Sequence, residues 1–308
     1  MPTISIILCT YNSEAYISEL ADSILRNDFK DFEILVQDDC STDKTISILE
    51  SFDDPRIKIK INNAPSGSAA MNFMSALVNL ETAPYVMFAD ADDFWEPFKI
   101  SKTLEMMKKA EAQSPPNTPV LVHSDLSVVN ENLKRIAPSL WDYEKISPER
   151  TKLNQLLAQN NVTGCTVMIN DALKKCVPSV PDAFVMHDWW LALCASAFGK
   201  IEYLREPLIR YRQHGDNSVG AYDASSLSAS AKKLANKEKT RRIYDSMFDQ
   251  ADCFAEYYSD RLSEKQYRIC KAYGSMKHQS RLQKCATVFR YSFWKNTLIR
   301  NIGQFIAI

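Results

Sequence analysis

Residues 85–97 read YVMFADADDFWEP, and this stretch decides the fold. The apolar run Tyr85-Val86-Met87-Phe88 ends in three carboxylates within four positions, Asp90, Asp92 and Asp93. A short continuous apolar run closed by polar residues reads as a strand buried on both faces. Two like charges about 5 Å apart repel by roughly 3 kcal/mol at an effective dielectric near 20. The cluster is therefore costly unless a cation relieves it, as a divalent metal held by oxygen ligands would.

Outward from this stretch, strand and helix patterns alternate. TISIILC (3–9), FEILVQ (32–37), the strictly alternating RIKIKI (56–61) and residues 120–123 read as further strands, RIKIKI near an edge. Between them, apolar residues recur at helical spacing, with helix caps expected at Asn12-Ser13, Ser41-Thr42 and Ser66-Gly67-Ser68. Such alternation predicts an α/β fold, a mostly parallel central sheet with helices on both faces. Ligands of these sheets lie beyond the carboxyl ends of the strands, at a topological switch point. Asp38 and Asp39, the Asp90 cluster and Asp125 are all expected just past strand ends, as parts of one site. Asp38 is read as structural, and Asp93 as a cap for the following turn. After Pro148 come a helix near 153–159, a strand at 166–169, a helix at 185–198 and a strand at 208–213. A polar helical stretch begins near Ser225. The boundary is placed near 221, giving an α/β domain of residues 1–220 and a helical, basic extension of residues 221–308.

The 308 residues are 45% hydrophobic and 24% charged, enough to bury a sizeable core. A net charge of −1 gives no reason to expect nucleic-acid binding. Nine of the 37 basic residues and none of the 38 acidic ones lie after Glu264, so a basic tail follows an acidic body. The eight cysteines are scattered without a CxxC pair and are expected to be reduced thiols. The opening MPTISIILCTYN has no basic n-region or cleavage signal and is expected to form a strand. No apolar run reaches 18 residues, so no membrane-spanning helix is expected. A cytoplasmic protein is anticipated. A dinucleotide-binding dehydrogenase is disfavoured, because there is no GxGxxG and only seven glycines are present.

In sequence order, SIILCTYNSEAYI (5–17), FEILVQDDCSTDKT (32–45), ADADDFW (89–95), His187-Asp188 and His214-Gly215 occur in this chain. Together they resemble the family 2 inverting glycosyltransferases with the GT-A fold. NNVTGCTVMIN (160–170), HDWWLALCASAFG (187–199) and YRQHGDNSVGA (211–221) are similar to bacterial rhamnosyltransferases of surface-polysaccharide synthesis. The resemblance covers roughly residues 1–220 and implies a role for each matching position. Tyr11, Asp39 and Asp90 would bind the nucleotide: Tyr11 by stacking on the base, Asp39 by accepting its N3–H, Asp90 at the ribose. Asp92 and His214 would hold Mg²⁺ or Mn²⁺, and imidazole suits Mn²⁺ better. Asp188 would be the catalytic base; a carboxylate near pKa 3.9 is a weak one, so it needs partial burial. Trp189 and Trp190 are either sugar or acceptor contacts or ordinary core. Arg210 and Arg212 would contact the diphosphate, unless one of them pairs with Asp216, and Arg212 is also a candidate acceptor or sugar contact. Asn72, Asp125, Asn161, Thr163 and Gly164 are second-tier site candidates, for each of which a structural role is preferred. Cys40 departs from the glycine often found at its position.

The implied reaction transfers a sugar, L-rhamnose from dTDP-β-L-rhamnose, to a hydroxyl of a lipid-linked polysaccharide intermediate. A UDP-hexose donor is the alternative, and a non-catalytic nucleotide- or sugar-binding scaffold is a second. A metal-dependent phosphohydrolase is disfavoured, since CTYN offers no nucleophilic Asp after the first strand. In the tail, Phe289, Phe293, Trp294, Leu298, Ile302, Phe305 and Ile306 recur at helical spacing between Arg290, Lys295 and Arg300. A basic amphipathic helix of this kind suits the inner face of the cell membrane. Packing on the enzyme itself, or on a second subunit in a homo-oligomer, is the competing reading.

Overall fold

A computed structural model describes residues 2–81, 83–215 and 237–308. The expected boundary near 221 and the Asp216 partner lie outside these residues. The chain divides into two compact units that interleave in sequence. The first comprises Met1–Leu140, Val162–Val180 and Gly199–Ala221; the second comprises Trp141–Asn161, Pro181–Phe198 and Tyr222–Ile308.

The first unit opens with β1 (Ile4–Thr10), α1 (Ile17–Leu25), β2 (Phe32–Asp38), α2 (Thr45–Glu50), β3 (Ile57–Ile61), α3 (Ala69–Asn79) and β4 (Tyr85–Asp90). Then follow β5 (Phe94–Trp95), α4 (Lys99–Ala112), β6 (Val120–Asn130), β7 (Arg135–Ala137), β8 (Met168–Asn170), α7 (Asp171–Lys174) and β9 (Lys200–Gln213), with α5 (Leu140–Glu144) and α6 (Leu153–Ala158) between β7 and β8. The strands form one mixed sheet in the order β3-β2-β1-β4-β8-β6-β9-β5, with β7 on β6. β1 through β4 are parallel, whereas β8 runs antiparallel to β4 and β5 antiparallel to β9. Every residue of β1 is buried, as its unbroken apolar run requires. The alternating strand β3 sits at the sheet edge, as its pattern indicates. Strand order reverses between β1 and β4, and this is the switch point.

Two expectations are corrected. Asp125 lies inside β6, not beyond it. Its carboxylate accepts hydrogen bonds from Ser139 Oγ and the Leu140 amide, which tie in the chain that returns over the strand. Register shifts against β9 on both sides of Asp125 make room for this. Neither Asn12-Ser13 nor Ser41-Thr42 caps a helix by side chain, because these groups bind each other's loops instead. Ser68 does cap α3, accepting from the Met71 amide.

The second unit is helical: α5 in large part, α6, α8 (His187–Phe198), α9 (Lys237–Tyr257), α10 (Glu264–Gly274), α11 (Arg281–Tyr291) and α12 (Leu298–Ala307). Its core gathers Trp190 against Phe254 and Tyr257, with ring centroids 5.1 and 5.7 Å away, edge to face. No described helix is long and apolar enough to cross a membrane.

Candidate active site

At the carboxyl ends of β1 and β2, two loops lock together. Asn12 adopts a left-handed backbone (φ 46°), turning its side chain to accept from the Thr42 amide at 2.8 Å. Ser41 Oγ accepts from the Asn12 amide, Thr45 Oγ1 from the Ser13 amide, and Asp43 from the Glu14 amide. Asp38, fully buried, takes bonds from Thr10 Oγ1, Ser41 Oγ and the Ser41 amide, which is a structural task. This bracing holds Tyr11 outward, 61% exposed, as a free aromatic face. Asp39 accepts from Asn62 Nδ2, the Ser66 amide and Ser66 Oγ at 2.6–2.8 Å, which fixes its carboxylate at the strand ends. Cys40 occupies the left-handed region (φ 65°), the conformation glycine adopts freely. Its thiol donates to the Asn62 carbonyl at 3.2 Å.

Across the switch point, Asp90 ends β4 opposite Cys9 of β1. β5 then pairs antiparallel with β9, Phe94 against Arg210 and Trp95 against Ile209. That register carries the end of β9 back over the acidic turn. His214 Nε2 consequently lies 2.7 Å from Asp92 Oδ2, with the two side chains 13% and 22% exposed. Arg212 is 2% exposed: its Nε donates to the Asp92 carbonyl at 2.7 Å, and its other nitrogens reach the Glu131 carbonyl and the Glu19 carboxylate. The guanidinium also stacks 4.6 Å from the Tyr16 ring centroid. Arg210 pairs with Glu96 at 2.7 Å.

The three carboxylates differ. Asp90 and Asp92 are partly exposed, whereas Asp93 is fully buried, accepting from the Arg212 amide at 3.2 Å and from the Cys165 thiol. Asp93 is therefore a buried anchor for β9 and not a turn cap. Burial, then the charges of Asp92 and Asp90, push its carboxyl well above the usual range. Ligand atoms of Asp90, Asp93 and Cys165 lie within 4.8 Å of one another. Beneath them Lys99 is fully buried, its Nζ 3.7 Å from the Trp95 ring centroid, and burial lowers its pKa to about 7. Lys99 and Cys165 escaped the sequence reading.

In the second unit, Asp188 opens α8 and is 7% exposed, its Oδ1 accepting from the Trp189 amide at 2.6 Å. Trp189 Nε1 donates to the Leu156 carbonyl at 2.7 Å, and fully buried Trp190 donates to Tyr258 Oη at 3.3 Å. Both tryptophans are core. Asn72 donates to the Gln37 carbonyl, and Asn161 fastens the Ser147 and Arg150 carbonyls. These two are structural, as read.

Residues 5–177 match the family model for glycosyl transferase family 2. The chain belongs to that family. This glycosyltransferase is 30% identical over 229 residues to the dTDP-rhamnosyl transferase RfbG of Shigella flexneri, covering 70% of this chain and 74% of RfbG. It is 27% identical over 251 residues to an uncharacterized glycosyltransferase of Nostoc, covering 78% and 73% of the two chains. Among solved structures, residues 1–349 of TarS from S. aureus, in complex with UDP-GlcNAc, superpose with a TM-score of 0.57 at 19% identity. That match covers 99% of this glycosyltransferase and 90% of the TarS chain. The mannosyltransferase PcManGT of Pyrobaculum calidifontis, in complex with GDP-Man and Mn²⁺, gives 0.53 at 16%, covering 99% and 84%. Both show the shared GT-A fold.

Proposed function

We propose that the chain is an inverting, metal-dependent glycosyltransferase that moves L-rhamnose from dTDP-β-L-rhamnose to a hydroxyl of a lipid-linked polysaccharide intermediate. The observation that carries this reading is the Asp92–His214 pair beside Asp90 at the switch point. Ligands bound at 2.0–2.1 Å and at right angles lie about 3 Å apart. The 2.7 Å separation of Asp92 Oδ2 and His214 Nε2 is close to that, so these residues fit a divalent cation. Bound there, Mg²⁺ or Mn²⁺ would supply Lewis-acid stabilisation of the departing diphosphate.

The remaining work falls to the protein's own groups. Tyr11 stacks on the base, Asp39 accepts the base N3–H with its remaining lone pairs, and Asp90 receives the ribose hydroxyls. Arg212 fixes the Asp92 backbone from beneath. Asp188 takes the proton of the acceptor hydroxyl, whose oxygen attacks the anomeric carbon in one displacement, so a β-linked donor gives an α-linked product. Catalysis is assigned to residues 1–220, with residues 221–308 as the helical, basic extension, and the enzyme is placed peripherally on the inner membrane face. The rhamnosyl donor rests on the similarity to RfbG.

A UDP-hexose donor is the second reading. It is favoured by 30% identity over 146 residues to the Escherichia coli β-1,3-glucosyltransferase WfgD, whose name specifies UDP-Glc. Product formation with dTDP-rhamnose and with UDP-glucose separates the two donors. Asp188→Asn is expected to abolish turnover with nucleotide affinity intact; retained turnover would remove Asp188 from the mechanism.

A further inference from the structure

The C-terminal helix is packed with its polar side inward. On α12, Gln304 is 1% exposed and donates to the Phe293 carbonyl at 3.0 Å. Arg300 pairs with Glu144, with both side chains about 14% exposed, and Asn301 donates to the Lys295 and Thr297 carbonyls. The opposite face carries Leu298, Ile299, Ile302 and Ile306, which are 48–76% exposed. A surface helix of a water-soluble domain normally shows the reverse arrangement.

The neighbouring helix α11 extends the apolar face. Phe289, 64% exposed, stacks on Phe305 at 5.8 Å and meets Trp294 edge-on at 4.9 Å. Leu282, seven residues before Phe289 and so on the same side of α11, is 85% exposed. Charge states what covers this surface. Among the described residues, Lys271, Lys277, Arg268 and Arg300 are neutralised by carboxylates and Lys284 lies inward, 5.6 Å from the buried Phe248 ring, while Arg281 and Arg290 of α11 pair with no carboxylate. Arg281 instead donates to the Phe305 carbonyl, which joins a cation to the apolar face.

The geometry points to the α11–α12 face as a docking surface for an anionic lipid bilayer. Leu298, Ile302 and Ile306 enter the acyl boundary, Trp294 lies at headgroup depth, and Arg281 and Arg290 meet lipid phosphates. This deepens the peripheral location proposed above and is independent of the donor sugar.

Co-sedimentation of the full chain with vesicles of phosphatidylcholine, with and without phosphatidylglycerol, tests it. The wild type is expected to bind only the anionic vesicles, less strongly as salt rises. Arg281→Glu with Arg290→Glu is expected to lower partitioning by at least about 25-fold, about fivefold for each cation removed. Leu298→Glu with Ile302→Glu is expected to lower it more than about tenfold. Mn²⁺-dependent nucleotide binding, measured on the same samples, stays at the wild-type level in both variants. It verifies their folding and separates failure of this surface from failure of the active-site reading. Absence of wild-type binding, equal binding to neutral vesicles, or a wild-type dimer that Leu298→Glu with Ile302→Glu makes monomeric would overturn the proposal.

Discussion

At the scale of single residues, three adjacent acids divide their tasks by burial. Asp90 and Asp92 remain accessible, while Asp93 is drawn inside and anchors β9 through the Arg212 amide. Asp92→Asn is expected to reduce kcat/KM by at least about a hundredfold, the order seen when one charge-stabilising group is removed, with thermal stability unchanged. Steady-state kinetics and a melting curve check both halves. Lys99 gives a pH prediction. Its folded pKa of about 7 lies below the model-peptide value of 10.5, so between them the unfolded chain holds a proton that the folded chain lacks. Stability contributed by this group therefore rises from pH 7 toward 10, and its penalty is complete below 7. Urea unfolding at both ends of that window is expected to show the rise in the wild type and a smaller one in Lys99→Met. The motif acids and His214 were picked out by the resemblance of their motifs to family 2 glycosyltransferases, and the structure brings His214 within 2.7 Å of Asp92. Lys99 and Cys165 were not, since nothing local marks a lysine or a thiol that distant strands will enclose.

At the scale of elements, apolar runs made the parallel strands β1, β2 and β4 readable within a residue or two. β6 and β9 extend well past their apolar cores because polar residues such as Asp125 and Arg210 are satisfied by partners far along the chain. The caps after β1 and β2 were misread for a related reason. Asn, Ser and Thr side chains serve loops as readily as helix ends, and here two loops use them on each other. α12 shows the limit of periodicity: its pattern revealed two faces but not which one points inward. Packing by the polar face predicts that Gln304→Ala destabilises by about 1 kcal/mol, the value of a buried hydrogen bond. Ile302→Ser should change stability by less than about 0.5 kcal/mol. Denaturant titration of the two variants distinguishes this orientation from the usual one.

At the scale of the whole molecule, the alternating strands and helices made an α/β sheet readable, and the GT-A fold was implied by the resemblance of the motifs to family 2 glycosyltransferases. The interleaving of the two units was not readable, because residues 141–161 and 181–198 join the C-terminal helices through tertiary contacts that no local pattern records. The scattered cysteines are all free thiols, half of them or more buried, as a chain without CxxC pairs suggested. Binding to the native state adds stability by mass action, so dTDP at about 100 times its Kd with Mn²⁺ should add roughly 2.7 kcal/mol. The most direct test of the central claim is a calorimetric titration of the wild type and Asp92→Asn with dTDP and UDP, each with and without Mn²⁺. Mn²⁺-dependent binding by the wild type, stronger for dTDP and lost in Asp92→Asn, is the predicted result. Nucleotide binding indifferent to Mn²⁺ and to Asp92, or none at all, would contradict a metal-assisted nucleotide-sugar site at the Asp92–His214 pair.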